Sequence, residues 1–292
     1  MDLKKTLRDI KNLKIQGAEN ISTAAILVLQ SEIKKSKTKT KNKLISEAET
    51  IKKSLIKTRP TEPEMENYLN YTIKELMEIE EENPNKIKKI IHNRIKLILK
   101  NKRLAKIQIT SNAQEIIKPN SRIFTHCHST TVVDIIKKAR SKNIKVSNTE
   151  TRPLFQGRIT AKELSQAGIK VKHYNDSGAR IALKESNIML IGADSITYNK
   201  VYNKIGSEMF ALVAKDLKVP VYVCASLWKF TPHREELEKR HTFEIWKNHP
   251  KKIEVQNYSF EKISFKLIKG IICEEGILKP KKFVKRARKL IE

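Results

Sequence analysis

"RIFTHCHSTTVVDIIKKARSKNIKVSN", residues 122–148, reads as strand, helix, strand. "RIFTH" and "IKVSN" are short β-branched and apolar runs, and between them Val132, Val133, Ile135 and Ile136 share one helical face. A helix joining two such strands is a parallel crossover unit, because a tight turn can connect only antiparallel neighbours. The same texture continues downstream. "GIKVKHY", "NIMLIGA" and "VPVYVCA" are further candidate strands, separated by the helical windows "TAKELSQAG", "SGARIALKES" and "GSEMFALVAKDLK". The expectation is an α/β domain with a mostly parallel sheet over residues 118–292.

Working back towards the start, the period changes. Leu3, Leu7, Ile10 and Leu13 recur at three- and four-residue spacing, and "NISTAAILVLQSEI" and "NKLISEAETIKKSLI" carry similar faces. "TRPTEP", residues 58–63, breaks the series, and a long helix begins after Asn83 and Pro84. Its residues Ile87, Ile90, Ile91, Ile95, Leu97 and Ile98 form a core-facing or partner-facing stripe. Residues 1–117 are therefore expected to form a helical domain, with the boundary near Lys118.

Bulk composition bounds the function. Of 292 residues 39% are hydrophobic, and the longest apolar run, "AAILVL" at Ala24 to Leu29, is far short of the roughly 20 residues that span a bilayer. The charged, amphipathic start does not read as a signal peptide, so a cytoplasmic protein without membrane contact is expected. Cys127, Cys224 and Cys273 lie far apart with no Cys-x-x-Cys pair, which argues against a disulfide framework or zinc ribbon. The net charge of +28 attracts polyanions in general. Its lysines are scattered and only 6% of residues are aromatic, which does not suggest a base-stacking platform, so nucleic acid is not the expected partner.

In an open α/β sheet, ligands bind beyond the carboxyl ends of the strands. Cys127, His128 and Ser129 follow "RIFTH", Asp194 follows "NIMLIGA", and Lys229 comes soon after "VPVYVCA". Near a helix start capped by Ser129 or Thr130, open amides would favour the Cys127 thiolate, and protonated His126 and His128 would push the same way. The alternative is a buried, inert thiol. A metal site is disfavoured, since neighbouring strand residues point to opposite faces and no other cluster completes it. Asp194 just past a buried strand could be held protonated and donate, or could be a cap or turn residue. Asp176 in "NDSGAR" reads as a helix cap. "YNKIGSEMF" puts Asn203 and Lys204 before Gly206 at a helix head, a possible phosphate site.

"THCHST", "TETRPLFQGRITAKEL", "DSGAR", "IGADSIT", "NKIGS" and the lysine of "LWKF", with "IKNLKIQGA" and "KTRP" upstream, resemble in order and spacing one superfamily. It contains methylthioribose-1-phosphate isomerase, archaeal ribose-1,5-bisphosphate isomerase and the regulatory subunits of eukaryotic initiation factor 2B. The resemblance covers nearly the whole chain and implies an N-terminal helical domain followed by a Rossmann-like domain. It also implies Cys127 and Asp194 as the catalytic pair, and "THCHS" with "TETRP" looks most like the archaeal ribose-1,5-bisphosphate isomerases. By that likeness ribose 1,5-bisphosphate becomes ribulose 1,5-bisphosphate in AMP salvage feeding Rubisco, with Asp194 as acid and Cys127 assisting proton movement. Arg59, Asn203, Lys204 and Lys229 would contact the bisphosphate, and Gly17 and Ala18 would offer backbone amides. No cofactor or metal is implied; AMP is a possible activator and a homo-oligomer built from dimers is expected. Two departures stand out: Gln16 replaces an arginine before Gly17, and Ser226-Leu227 replaces Glu-Thr. They keep open the alternative of a non-catalytic, initiation-factor-2B-like subunit that binds an initiation factor or nucleotide.

Overall fold

The computed structural model describes residues 2–232 and 237–291. The chain divides into two compact units, one helical and one built on a sheet. The division falls between Ala105 and Lys106, inside a helix, rather than after it near Lys118. The reason is packing: Ile109, Ala113 and Ile117 are buried in the sheet unit's own core.

The helical unit holds α1 (Leu3–Lys11), α2 (Ala18–Lys35), α3 (Lys41–Thr58), α4 (Pro63–Met77) and most of α5 (Pro84–Asn112), joined by Trp228–Phe230. Local chemistry sets the starts. The Asp2 carboxylate accepts the Lys5 N–H and the Thr40 hydroxyl accepts that of Lys43, each satisfying an amide the helix cannot pair itself. Pro63 occupies the first turn of α4, where its missing N–H costs nothing, so the breaker in "TRPTEP" is also a helix start. Ile21, Ile26, Leu29, Leu44, Leu55 and Leu69 share one core with Ile87, Ile91 and Ile95 of α5. Leu97, placed in that stripe by the sequence reading, is 56% exposed, because it lies about 200° round the helix from Ile95. Asn67 donates from Nδ2 to the carbonyls of Trp228 and Phe230, both at 2.8 Å, and Trp228 stacks on Tyr68 at 4.3 Å.

In the sheet unit, β1 (Arg122–Thr125), β2 (Lys145–Thr149), β3 (Lys170–Tyr174), β4 (Ile188–Ile191), β7 (Val221–Cys224), β9 (Gly270–Cys273) and β10 (Gly276–Leu278) form one sheet in the order β10-β9-β7-β4-β1-β2-β3. All neighbours are parallel except β10 on β9. This is the strand order of a Rossmann-like fold with an antiparallel edge. The crossovers are α6 (Thr130–Lys138), α7 (Gln156–Gln166), α8 (Ala179–Lys184) and α9 (Ser207–Asp216), and α10 (Pro280–Ile291) follows the last strand. A second, antiparallel sheet of β5 (Ser195–Ile196), β6 (Lys200–Lys204) and β8 (Phe260–Ser264) was not anticipated.

α7 docks on the end of β2 through glycine. Gly157 donates to the Glu150 carbonyl at 3.1 Å and accepts from Asn148 Nδ2 at 2.7 Å. A Cβ there would lie 1.7 Å from the Thr149 carbonyl oxygen. Glycine to alanine in a helix ordinarily stabilises by up to about 1 kcal/mol. Here Gly157→Ala is predicted to do the opposite and cost at least about 2 kcal/mol in urea unfolding, because backbone must move. An unchanged or raised urea midpoint would contradict this packing.

Candidate active site

β1 and β4 are neighbours, but β1 continues through α6 to β2 on one side while β4 leads onward to β7 on the other. Where adjacent connections diverge, the strand ends bound a crevice in which ligands commonly sit. Ile123 pairs with Ile188 and Phe124 with Met189, so the two strands end together. Cys127 leaves the end of β1 and Asp194 the end of β4.

Cys127 is fixed at both ends of its backbone. Its N–H donates to Thr151 Oγ1 at 3.0 Å and its carbonyl accepts from Thr160 Oγ1 at 2.9 Å, with φ at 66°. Ser129 caps α6 by accepting from the Val132 N–H at 3.4 Å, as the sequence reading anticipated. Of the two readings the sequence leaves open for Cys127, this environment does not favour the thiolate. Burial pushes the thiol up to about 11, and the charges of Asp194 and Asp176 push the same way. Lys204 and the His128 N–H pull down without prevailing. Desolvation thus outweighs the helix start, and the thiol keeps its proton.

The two histidines are not cationic neighbours either. His126 is buried, and burial lowers its pKa to about 4. The Ile205 carbonyl, 2.9 Å from Nε2, can only accept, so the proton sits on Nε2, and Nδ1 accepts from the Thr149 hydroxyl at 2.7 Å. Both ring nitrogens are therefore committed, and the ring packs edge-on to Phe210 at 4.8 Å. His126 ties β1 to β2 and to the turn before α9. Burial also lowers the pKa of His128, whose Nδ1 lies 3.1 Å from Thr160 Oγ1. The Thr160 hydroxyl gives its hydrogen to Cys127, so it accepts from His128.

Among the described residues Asp194 caps no helix. Its N–H donates to the Tyr202 carbonyl at 2.9 Å, and the chain passes straight into β5, which pairs with β6. That hairpin brings Lys204, the last residue of β6, into electrostatic range of the thiol, with its ammonium 5.1 Å from the Phe260 ring centre. Cys127, Asp194 and Lys204 are thus gathered at one end of the sheet. Asn203 is directed elsewhere, since successive strand residues face opposite ways. It is buried and donates to Ser207 Oγ at 2.9 Å, which donates to the Lys204 carbonyl at 2.6 Å. It stitches the start of α9, where Gly206 takes φ 98° against Phe210. Asp176 also departs from expectation: Asn175 caps its own turn, while the Asp176 carboxylate accepts the N–H groups of Thr151 and Arg152.

The remaining expected residues lie in the helical unit. Gly17, at φ 80°, begins α2 with no side-chain cap, so the first amides of an 18-residue helix, beginning at Ala18, form its positive end. Arg59 Nη2 lies 3.3 Å from the buried Glu62 carboxylate. Lys229 Nζ is 3.8 Å from Glu64 Oε2, while Lys102 Nζ contacts Glu64 Oε1 at 2.5 Å and Ser22 donates to the same oxygen at 3.1 Å. Burial opposes the charge on Glu64, but Lys102 and Lys229 together hold its pKa below the usual carboxylate range. Glu64 and Lys102 escaped the sequence reading, because one lysine in the basic run of α5 carries no distinguishing signal. Gln16 is exposed and donates to the Leu13 carbonyl at 2.6 Å. At the other departure, Ser226 Oγ and the Leu227 N–H both donate to Glu274, so the loop takes its carboxylate from the β9–β10 turn.

Comparison with known proteins agrees with this architecture. The profile of the initiation factor 2 subunit family matches residues 14–280. The chain is 36% identical to the ribose 1,5-bisphosphate isomerase of Thermococcus kodakarensis, covering 93% of this chain and 89% of that protein. It is 29% identical to the methylthioribose-1-phosphate isomerase of Pelotomaculum thermopropionicum, covering 97% and 84%. Among solved structures, the 5-methylthioribose 1-phosphate isomerase of Pyrococcus horikoshii OT3 superposes with a TM-score of 0.83 at 26% identity, over 99% of this chain and 88% of that one. The translation initiation factor eIF-2B of the same organism gives 0.82 at 24%, over 96% and 98%, and shows the fold alone.

The buried, neutral His126 has a pH signature. The unfolded chain binds a proton on this ring near 6.5 and the folded chain only near 4. Between those values the unfolded state holds more protons, so stability is intact above pH 6.5 and declines as pH falls towards 4, by up to about 3 kcal/mol. Urea unfolding across this window should show the decline in the wild type and a flatter profile in His126→Gln. Equal slopes would contradict the assignment.

Proposed function

The chain belongs to the initiation factor 2 subunit family, and within it we propose that this protein is a sugar-phosphate isomerase converting ribose 1,5-bisphosphate to ribulose 1,5-bisphosphate. The observation that carries the reading is the meeting of a protonated thiol, a carboxylate and an ammonium at the ends of β1, β4 and β6. Identity of 36% to ribose 1,5-bisphosphate isomerases over most of the chain supports the substrate.

A pentose phosphorylated on its anomeric carbon cannot expose its aldehyde by simple ring opening. The bond from carbon 1 to the ring oxygen must break with a proton delivered to that oxygen. Hydrogen then moves from carbon 2 to carbon 1, and the 2-hydroxyl loses its proton as the carbonyl forms. One proton enters and one leaves, and the product is an isomer. The sequence reading made Asp194 the acid. The environment of Cys127 supports the reverse order, in which the thiol holds the proton and gives it to the ring oxygen, while the Asp194 carboxylate takes the proton of the 2-hydroxyl. Return of that proton from Asp194 to sulfur resets the pair. Lys204 offsets the negative charge left on sulfur in between.

The phosphates require cations and open amides. Within the sheet unit we assign Lys204 to this role. Asn203 supports it through the start of α9.

Purified protein should convert ribose 1,5-bisphosphate to ribulose 1,5-bisphosphate, assayed with and without AMP, and should act more slowly on methylthioribose 1-phosphate. Cys127→Ser and Asp194→Asn should each lower kcat by about 10²–10⁴-fold with little change in KM. Faster turnover of the methylthio sugar would reassign the substrate. Failure to turn over either sugar, with the fold intact, would favour the non-catalytic, initiation-factor-like alternative.

A further inference from the structure

Cys127 and Thr151 both occupy the left-handed backbone region, at φ 66° and 65°, where glycine and asparagine are at home and a β-branched residue is an outlier. Two such residues, joined to each other by a hydrogen bond, persist only where their surroundings over-determine them. The surroundings are specific. The Asp176 carboxylate, reaching from the turn after β3, accepts the Thr151 N–H on Oδ1 at 2.9 Å and the Arg152 N–H on Oδ2 at 2.7 Å. The fully buried Thr151 then accepts the Cys127 N–H on its hydroxyl at 3.0 Å. In each contact a side-chain oxygen holds a backbone amide, and the series ties together the ends of β3, β2 and β1, which the parallel register keeps side by side.

We propose that Thr151 and Asp176 are positioning residues for Cys127: Asp176 locks the loop after β2, and the Thr151 hydroxyl holds Cys127 in the left-handed conformation that turns its thiol into the crevice shared with Asp194. A strand residue continuing past Thr125 in extended geometry would alternate faces with His126, whose ring is buried against Phe210. The left-handed turn at Cys127 breaks that alternation. Asp176 has a second effect, because its charge adds to that of Asp194 against Lys204 in keeping the thiol protonated, with neutral His126 and His128 on either side in the chain.

The kinetic arm of the test rests on the proposed isomerase activity, whereas the chemical arm does not. Full-length wild type, Thr151→Ala, Thr151→Ser and Asp176→Asn are alkylated with iodoacetamide over a pH series, and peptide mass spectrometry follows Cys127 separately from Cys224 and Cys273. Asp176→Asn should move the alkylation midpoint of Cys127 to lower pH. Thr151→Ala should raise the alkylation rate about tenfold by releasing the loop, and Thr151→Ser should restore the wild-type profile. In turnover of ribose 1,5-bisphosphate, Thr151→Ala should lower kcat by about 10–100-fold at nearly unchanged KM, with rescue by Thr151→Ser. Wild-type alkylation profiles in both Thr151→Ala and Asp176→Asn would overturn the proposal, as would a defect in Thr151→Ala that Thr151→Ser shares in full. If the wild type leaves the sugar unchanged, the substrate assignment falls by itself and the alkylation profiles alone decide the clamp.

Discussion

Two neighbouring parallel strands whose connections leave in opposite directions set everything else at this end of the sheet. Because β1 turns back through α6 and β4 passes into the β5–β6 hairpin, their ends are not covered by a shared crossover. Cys127 follows one of these strands and Asp194 the other, from separate stretches of chain. The hairpin adds a third group: antiparallel pairing returns β6 alongside Asp194 and delivers Lys204 there. The buried ring of His126, bonded to Thr149 and to the Ile205 carbonyl, holds β1, β2 and the approach to α9 in one arrangement.

Burial decides the protonation of this site. A helix start and two histidines would suggest a reactive thiolate, yet the thiol is pushed up to about 11 and the His126 ring down to about 4 by the same loss of solvent. Desolvation penalises whichever form is charged, so it raises an acid's pKa and lowers a base's. The outcome is a proton kept on sulfur, with a neutral imidazole beside it in the chain. Such a thiol is suited to passing a proton to a small sugar rather than to nucleophilic attack.

The sheet and its crossover helices were legible because strand length, β-branching and helical spacing agree over residues 122–224. Cys127 and Asp194 were legible for a simpler reason: both follow an apolar strand directly. The β5–β6–β8 sheet was not, since "SI" and "KVYNK" are too short or too polar to show a strand period, and their partner Phe260–Ser264 is remote in sequence. The ion cluster of Glu64 with Lys102 and Lys229 was hidden for the same reason, its members being far apart along the chain. The protonation of Cys127 could not be read from neighbours in sequence, because the burial, Asp176 and Asp194 that govern it come from folding. Asp176 reads from the sequence as a helix cap, because its bond to Thr151 depends on β2 and β3 lying in register.

The most direct measurement is a crystal structure of the Cys127→Ser protein soaked with ribose 1,5-bisphosphate. The pentose should lie across the ends of β1 and β4, its ring oxygen facing the residue-127 hydroxyl and its 2-hydroxyl within hydrogen-bond reach of Asp194. A sugar bound with residues 127 and 194 both remote from its first two carbons and ring oxygen would contradict the shared role assigned to thiol and carboxylate.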